Sequence, residues 1–198
     1  ENRSGQTVIH NAVNGDNIQG SSKVETLSPL LHAIGMNLNA NIGINPNRIN
    51  VITEGITDAI YLNVMAECLD QHDFSFIAST GAGNTPLIAS ILSGWGESYK
   101  VLLDGDRQGN ITFRTLSTSG MGAHTVKLDD VIKDISNPTI ESLISTSDFK
   151  NCGIDCTSLN NSSNKKIAAQ TFANFIYDKK PISTETKENF ALLFEELK

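Results

Sequence analysis

Two short stretches carry side chains able to do chemistry. In INVITEGITDAI, Ile49 to Ile60, an apolar run stops at Glu54, Gly55 follows, and Asp58 comes four residues after the glutamate. In YKVLLDGDRQGN, Tyr99 to Asn110, a second apolar run stops at Asp104 and Asp106. Carboxylates crowded together repel, and some take up protons unless cations compensate them. Magnesium does so with octahedral oxygen coordination from a few carboxylates, waters and substrate phosphate. Two such ions about 4 Å apart can activate water and stabilise a leaving oxygen in phosphodiester cleavage. Either stretch alone is a weak signal, because acids favour helix N-termini in any case. The specific signal is their order: strand then E-G-x-x-D, and afterwards strand then D-x-D.

These acids need elements to position them. INVIT, FSFIAS from Phe74, YKVLLDGD and the weaker AHTVKL read as four strands. Between them, Ile56 to Leu69 and TPLIASILSGW read as amphipathic helices, the second with Asn84 or Thr85 as N-cap and Pro86 in its first turn. RQGNITFRTLSTSG reads as a loop with one helical stretch, NPTIESLI as a short helix, and NCGIDCTSLNNSSN as a polar connection. LSPLLHAIGMNL, from Leu27, has helical spacing after a Ser-Pro start. KKIAAQTFANFIYDKK and TKENFALLFEELK are two further amphipathic helices with no strand between them. Alternation of strands and helices predicts an α/β fold, a Rossmann-like parallel sheet of about four strands flanked by helices, with a C-terminal helical appendage. In such sheets ligands bind at the carboxyl ends of the strands. Should the first and third strands be neighbours, Glu54, Asp58, Asp104 and Asp106 meet at one edge.

Composition sets outer limits. The chain has 198 residues and a net charge of −7, which argues against simple phosphate-backbone binding by the protein alone. No apolar run reaches the roughly 18 residues of a membrane-spanning helix. Three cysteines, Cys68, Cys152 and Cys156, do not make a disulfide framework. Cys152 and Cys156 lack the partners of a four-ligand zinc site. Reduced thiols fit a cytoplasmic protein. Residues 1–25, polar and rich in Asn, Gly and Ser, read as a linker or arm. With no starting Met, the sequence reads as part of a longer protein.

Together these stretches resemble a Toprim domain, the metal-binding module of topoisomerases, primases and certain nucleases. Within that superfamily the chain most resembles the Toprim half of OLD-family (overcoming lysogenization defect) ATP-dependent nucleases. The resemblance rests on LSPLLHAIGMNL, INVITEGITDAIYL, STGAGN, VLLDGDRQGN and PTIESLI, over about residues 25–145. It implies a Toprim core at 26–147 after the arm at 1–25, and a helical extension at 148–198. It implies that Glu54, Asp58, Asp104 and Asp106 hold magnesium or manganese, two ions, and that Glu141 joins them; a solvated helix-start glutamate is the plain alternative. It implies a late catalytic lysine that steadies charge on the scissile phosphate, with Lys166 slightly ahead of Lys165. It further implies a preceding ABC-type ATPase domain in the full-length chain, homo-oligomerisation through that domain, DNA as substrate and a role in defence against phage. RNA, including transfer RNA, is an alternative substrate, and a non-catalytic nucleic-acid-binding module is an alternative to the nuclease.

Other residues admit two readings. Gly81 and Gly83 in STGAGN can bring backbone close to an ion or phosphate, or simply turn the chain. Ser79 and Thr80 can bind an ordered water there. His124 reads as a packed or exposed residue of the fourth strand, and nothing marks Tyr61 as a nucleophile. A haloacid-dehalogenase-like phosphatase would use VLLDGD with Asp129 and Asp130, but Gln108 stands where that family has Thr or Val, and E-G-x-x-D goes unused.

Overall fold

A computed structural model describes residues 2–3, 6–7, 44–81, 83–159 and 161–198, except for the side chains of residues 2, 3, 6, 7 and 158. The chain divides into two compact units, Glu1–Ile42 and Gly43–Lys198. In the first, strands β1 (Asn2–Arg3) and β2 (Gln6–Thr7) pair antiparallel. The helix expected from Leu27 lies outside the described residues.

The second unit is built on a four-stranded sheet in the order β4-β3-β5-β6, all pairs parallel. Its strands are β3 (Ile49–Thr53), β4 (Phe74–Ala78), β5 (Tyr99–Leu103) and β6 (Thr125–Lys127). The apolar, β-branched run of β3 is buried almost throughout, as a central parallel strand covered on both faces must be. The chain passes from β3 to β4 on one side, then crosses to β5 on the other. The order in which strands are added therefore reverses between β3 and β5, where ligands bind in open α/β folds.

Helix α1 (Ile56–Cys68) returns from β3 to β4, α2 (Thr85–Trp95) from β4 to β5, and α3 (Arg107–Thr118) from β5 towards β6. Asn84 is the N-cap of α2, but its side chain donates to the Ser79 carbonyl instead of capping. Gly96 ends α2 with a left-handed φ of 68°. RQGNITFRTLST is a full helix and not a loop with one helical stretch. Its buried residues are Gly109, Thr112 and Leu116, only one of them a large apolar group, so the pattern is nearly silent in sequence. His124 closes a 3-10 turn, Gly122–His124, just before β6, and its ring stacks on Tyr99 at 4.7 Å, at the end of the sheet where the strands begin.

After the short helix α4 (Leu128–Val131), the expected NPTIESLI helix is a 3-10 turn, Ile140–Leu143, and α5 (Thr146–Asn151) follows. The polar connection contains a further 3-10 turn, Cys156–Ser158. Helices α6 (Ser162–Tyr177) and α7 (Thr184–Glu196) end the chain. These helices share the core of the sheet: α6 packs along α1, with Phe172 5.5 Å from Tyr61, and Phe194 of α7 stacks on Phe74 of β4 at 5.4 Å. No helix among the described residues is long and apolar enough to cross a membrane.

Candidate metal centre

Because β3 and β5 are neighbours, their carboxyl ends deliver Glu54 and Asp104 side by side. Each acid is set in place by the turn that carries it. Asp58, the third residue of α1, reaches back so that the Gly55 N–H donates to its Oδ2 at 2.8 Å. Asp106 is the N-cap of α3, and its Oδ1 accepts from the Gly109 N–H at 2.8 Å. Across the sheet edge, the Ser79 hydroxyl and the Gly81 N–H both donate to the Glu54 carbonyl, at 3.2 Å each. Ser79 is almost fully buried in this role, which holds the backbone of Glu54 and leaves no hydroxyl for an ordered water.

Two glycines make the assembly possible. A Cβ on Gly109 would lie 2.0 Å from the Asp104 carbonyl oxygen and 3.2 Å from Glu54 Oε1. The bare Cα lets α3 start directly on the end of β5. A Cβ on Gly105 would lie 2.0 Å from Asp129 Oδ1 and 2.4 Å from Pro138 Cδ. The Gly105 N–H also donates to the Pro138 carbonyl at 2.8 Å, which docks the segment before Glu141 against the D-x-D turn.

That docking brings Glu141 into the group. Its residue is 8 % exposed, its Oε2 accepts from the Thr139 hydroxyl at 2.7 Å, and Lys165 Nζ stands 3.3 Å from each carboxylate oxygen. Lys165 thus faces the acids from the first turns of α6. Lys166, the favoured candidate in sequence, is exposed on another side of the same helix. The reason is the 100° between consecutive helical residues: α6 packs on α1 through Ala168, Ala169, Phe172 and Ala173, which sets which lysine turns inward.

The electrostatics are those of crowded acids with one nearby cation. Burial pushes the Asp104 carboxyl up to about 8, with Asp58, Glu54 and Glu141 adding to the rise and Lys165 opposing it. Burial, then Asp106 and Asp58, push Glu54 up to about 7. Burial pushes Asp58 up to about 6, with Glu141 adding and the Gly55 N–H and Lys165 opposing. Glu54 Oε1 is buried without a hydrogen-bond donor, and Glu141 Oε1 has only the Lys165 ammonium, 3.3 Å away, as a partner. Such oxygens are costly unless a cation or donor reaches them.

The donor set therefore suits a hard divalent ion: all oxygen, half-buried or buried, mutually repelling and with an unpartnered oxygen on Glu54. The placement of the side chains is another matter. Among the described residues no group of three or more His, Cys, Asp and Glu side chains is arranged to hold an ion as it stands. Asp58 and Asp106 are turned onto backbone N–H groups, and Glu141 is paired with Lys165. Loading requires these local bonds to be exchanged.

Asp129 lies beside Gly105, held by Lys127 at 3.6 Å, while Asp130 is exposed. As with Glu54 and Asp104, it closely follows a strand end, and that position is its sequence signal. Tyr61 is fully buried against Phe172, and burial, with Glu141, raises its phenol far above the usual range, so it is no nucleophile. No protein-family profile, curated protein or solved structure matches the chain.

Proposed function

We propose that the chain is a metal-dependent phosphodiesterase domain that cuts nucleic acid at the carboxyl edge of β3 and β5. The observation that carries this reading is the meeting of the half-buried Glu54, Asp58 and Asp104 with the buried Glu141, and Lys165 as the cation that offsets them. Their repulsion has no structural benefit in itself, and a divalent ion relieves it. Glu54, Asp58, Asp104, Asp106 and Glu141 are the residues that would hold magnesium or manganese, and the sequence resemblance implies two ions. When bound, such ions supply Lewis acidity and charge compensation for in-line displacement at phosphorus. The chain's own part is to present oxygens at fixed strand ends, keep them partly dry, and bring Lys165 to the phosphate oxygens once Glu141 releases it. The sequence resemblance supports DNA as substrate, an ATPase domain upstream in the full-length chain, and a role in defence against phage.

A second reading is a nucleic-acid-binding module without catalysis. It is favoured by the local ties of Asp58 and Asp106, each of which has one oxygen held by a backbone N–H.

Plasmid DNA and transfer RNA, incubated with the chain and magnesium, manganese or chelator, decide between them. The nuclease reading requires metal-dependent ends that vanish in Glu54→Ala and Asp104→Ala. Lys165→Met slows turnover at least tenfold and Lys166→Met leaves it within about twofold, since one lysine faces the acids. Cleavage that survives Asp104→Ala rejects the metal centre, and binding without ends on either polymer selects the module.

A further inference from the structure

We propose that a hollow at the far ends of α1 and α6 seats one unpaired nucleotide of a nucleic-acid strand. Its base lies on Tyr177, and its phosphates meet Lys179, Lys180 and Lys187. The hollow deepens the reading above and rests on it for the identity of the polymer. It measures about 400 Å³, which is the size of a small-ligand site. Its apolar lining is Val64, Ile176, Pro181 and Ile182.

Charge complementarity selects the occupant. In a chain of net charge −7, three lysines line this hollow against one acid, Glu67. Lys180 also pairs with Asp178 at 3.3 Å and lies 5.2 Å over the Phe175 ring. The negative end of the α6 dipole accounts for cations at Lys179 and Lys180. It does not account for Lys187, which stands on the opening turn of α7, where the dipole disfavours a cation. An anion in the hollow answers both. Tyr177 is 56 % exposed beside these lysines. An exposed aromatic ring beside cations is the pairing by which single strands are held, with bases stacked and backbone phosphates neutralised.

Position ties the hollow to the acids. Helices α1 and α6 run side by side in the same direction, with Asp58 and Lys165 at one end and Cys68 and Tyr177 at the other. Ten residues of α1 separate Asp58 from Cys68, about 15 Å at 1.5 Å per residue. A strand seated at Tyr177 reaches the acids within a few nucleotides.

Cys68 lines the hollow and serves as a built-in reporter. A short fluorescein-labelled oligothymidylate and its matching duplex are titrated onto the whole chain in chelator, where cleavage is suppressed. Iodoacetamide labelling of Cys68 is followed by peptide mass mapping. The single strand binds more tightly than the duplex and slows labelling of Cys68. Tyr177→Ala weakens binding about tenfold. The double change Lys179→Ala with Lys187→Ala lowers the slope of log affinity against log salt by about 1.4, at about 0.7 per phosphate contact. Unchanged affinity and slope in these variants, or a Cys68 that labels at the same rate with strand bound, overturn the proposal. If metal-dependent cleavage is present but the hollow variants bind normally, only this inference fails. If the strand protects Cys68 but no ion supports cleavage, only the nuclease reading fails.

Discussion

Glu54, Asp58 and Asp104 are held above their ordinary values, and this has a definite consequence for stability. A carboxyl whose folded pKa is raised stabilises the fold while protonated; that contribution is full below the unfolded value and is lost as pH rises through the folded one. With folded values of about 7, 6 and 8 against an ordinary carboxyl value near 4, the window runs from about pH 4 to about pH 8. The metal-free protein therefore melts at progressively lower temperature across that range. Magnesium or manganese restores the loss, since ion binding competes with protons. Asp104→Asn flattens the decline and removes the response to metal. Thermal melts at stepped pH check this, and a flat profile in the unaltered protein contradicts the crowding of these half-buried acids. At this scale the sequence was informative about type and poor about direction. E-G-x-x-D and D-x-D carried the acids, because strand ends in open α/β sheets are where ligands bind. The choice between Lys165 and Lys166 depended on which face of α6 packs on α1, a fact of tertiary packing absent from two adjacent identical residues.

Element by element, turns matter as much as strands. Gly109 belongs to a helix and has negative φ, so helix propensity alone favours Ala there by about 1 kcal/mol. The close approach of Asp104 overrides it. Gly109→Ala is expected to destabilise by roughly 1–3 kcal/mol, the usual cost of forcing a group into filled space, and to weaken metal binding by shifting α3 off β5. Gly94→Ala in α2, where a Cβ meets nothing within 4 Å, is the control and stabilises by up to about 1 kcal/mol. Denaturant melts of the pair test the contact. Asp148, on α5, is 2 % exposed and gathers Ser145, Ser183, Thr186 and the Ser183 N–H around one carboxylate. Burial pushes it up, but the Ser183 and Thr186 hydroxyls with the Ser183 N–H prevail and hold it below the usual range. With a depressed folded value, its contribution is present above the unfolded value near 4 and lost as pH falls through the folded one. Asp148→Ala strands these donors and is expected to cost on the order of 3 kcal/mol at neutral pH and less in acid. A variant equally destabilised at pH 3 and pH 7 rules out the carboxylate as the linking group. None of this knot was visible in TSDFKN or PISTET, because its partners lie 35 to 38 residues apart in the chain.

For the whole molecule, the four parallel strands and the helices between them were legible because apolar runs with β-branched residues alternate with helical spacing. The polar α3 was not, since a helix that buries little shows little. The last two helices were legible as helices but not in their depth. Phe190, Leu193, Phe194 and Leu197 are fully buried, and Phe194 meets both Phe74 and Phe76 of β4. Losing one buried phenylalanine to alanine costs about 3–5 kcal/mol, against a total of about 5–15 kcal/mol for a typical domain. A chain ending at Lys180 is accordingly expected to lose its cooperative melt and bind a hydrophobic dye, where removal of a mere appendage leaves the melt in place.

The stacking of Phe194 on Phe74 also bears on the order of events during synthesis. A ribosome releases the chain from its amino end, so β3, β5 and their carboxylates emerge long before α7 does. Until α7 arrives, β4 lacks its covering aromatic side chains and the sheet has only part of its core. The acids are thus made early, while the aromatic cover of β4 comes only with α7.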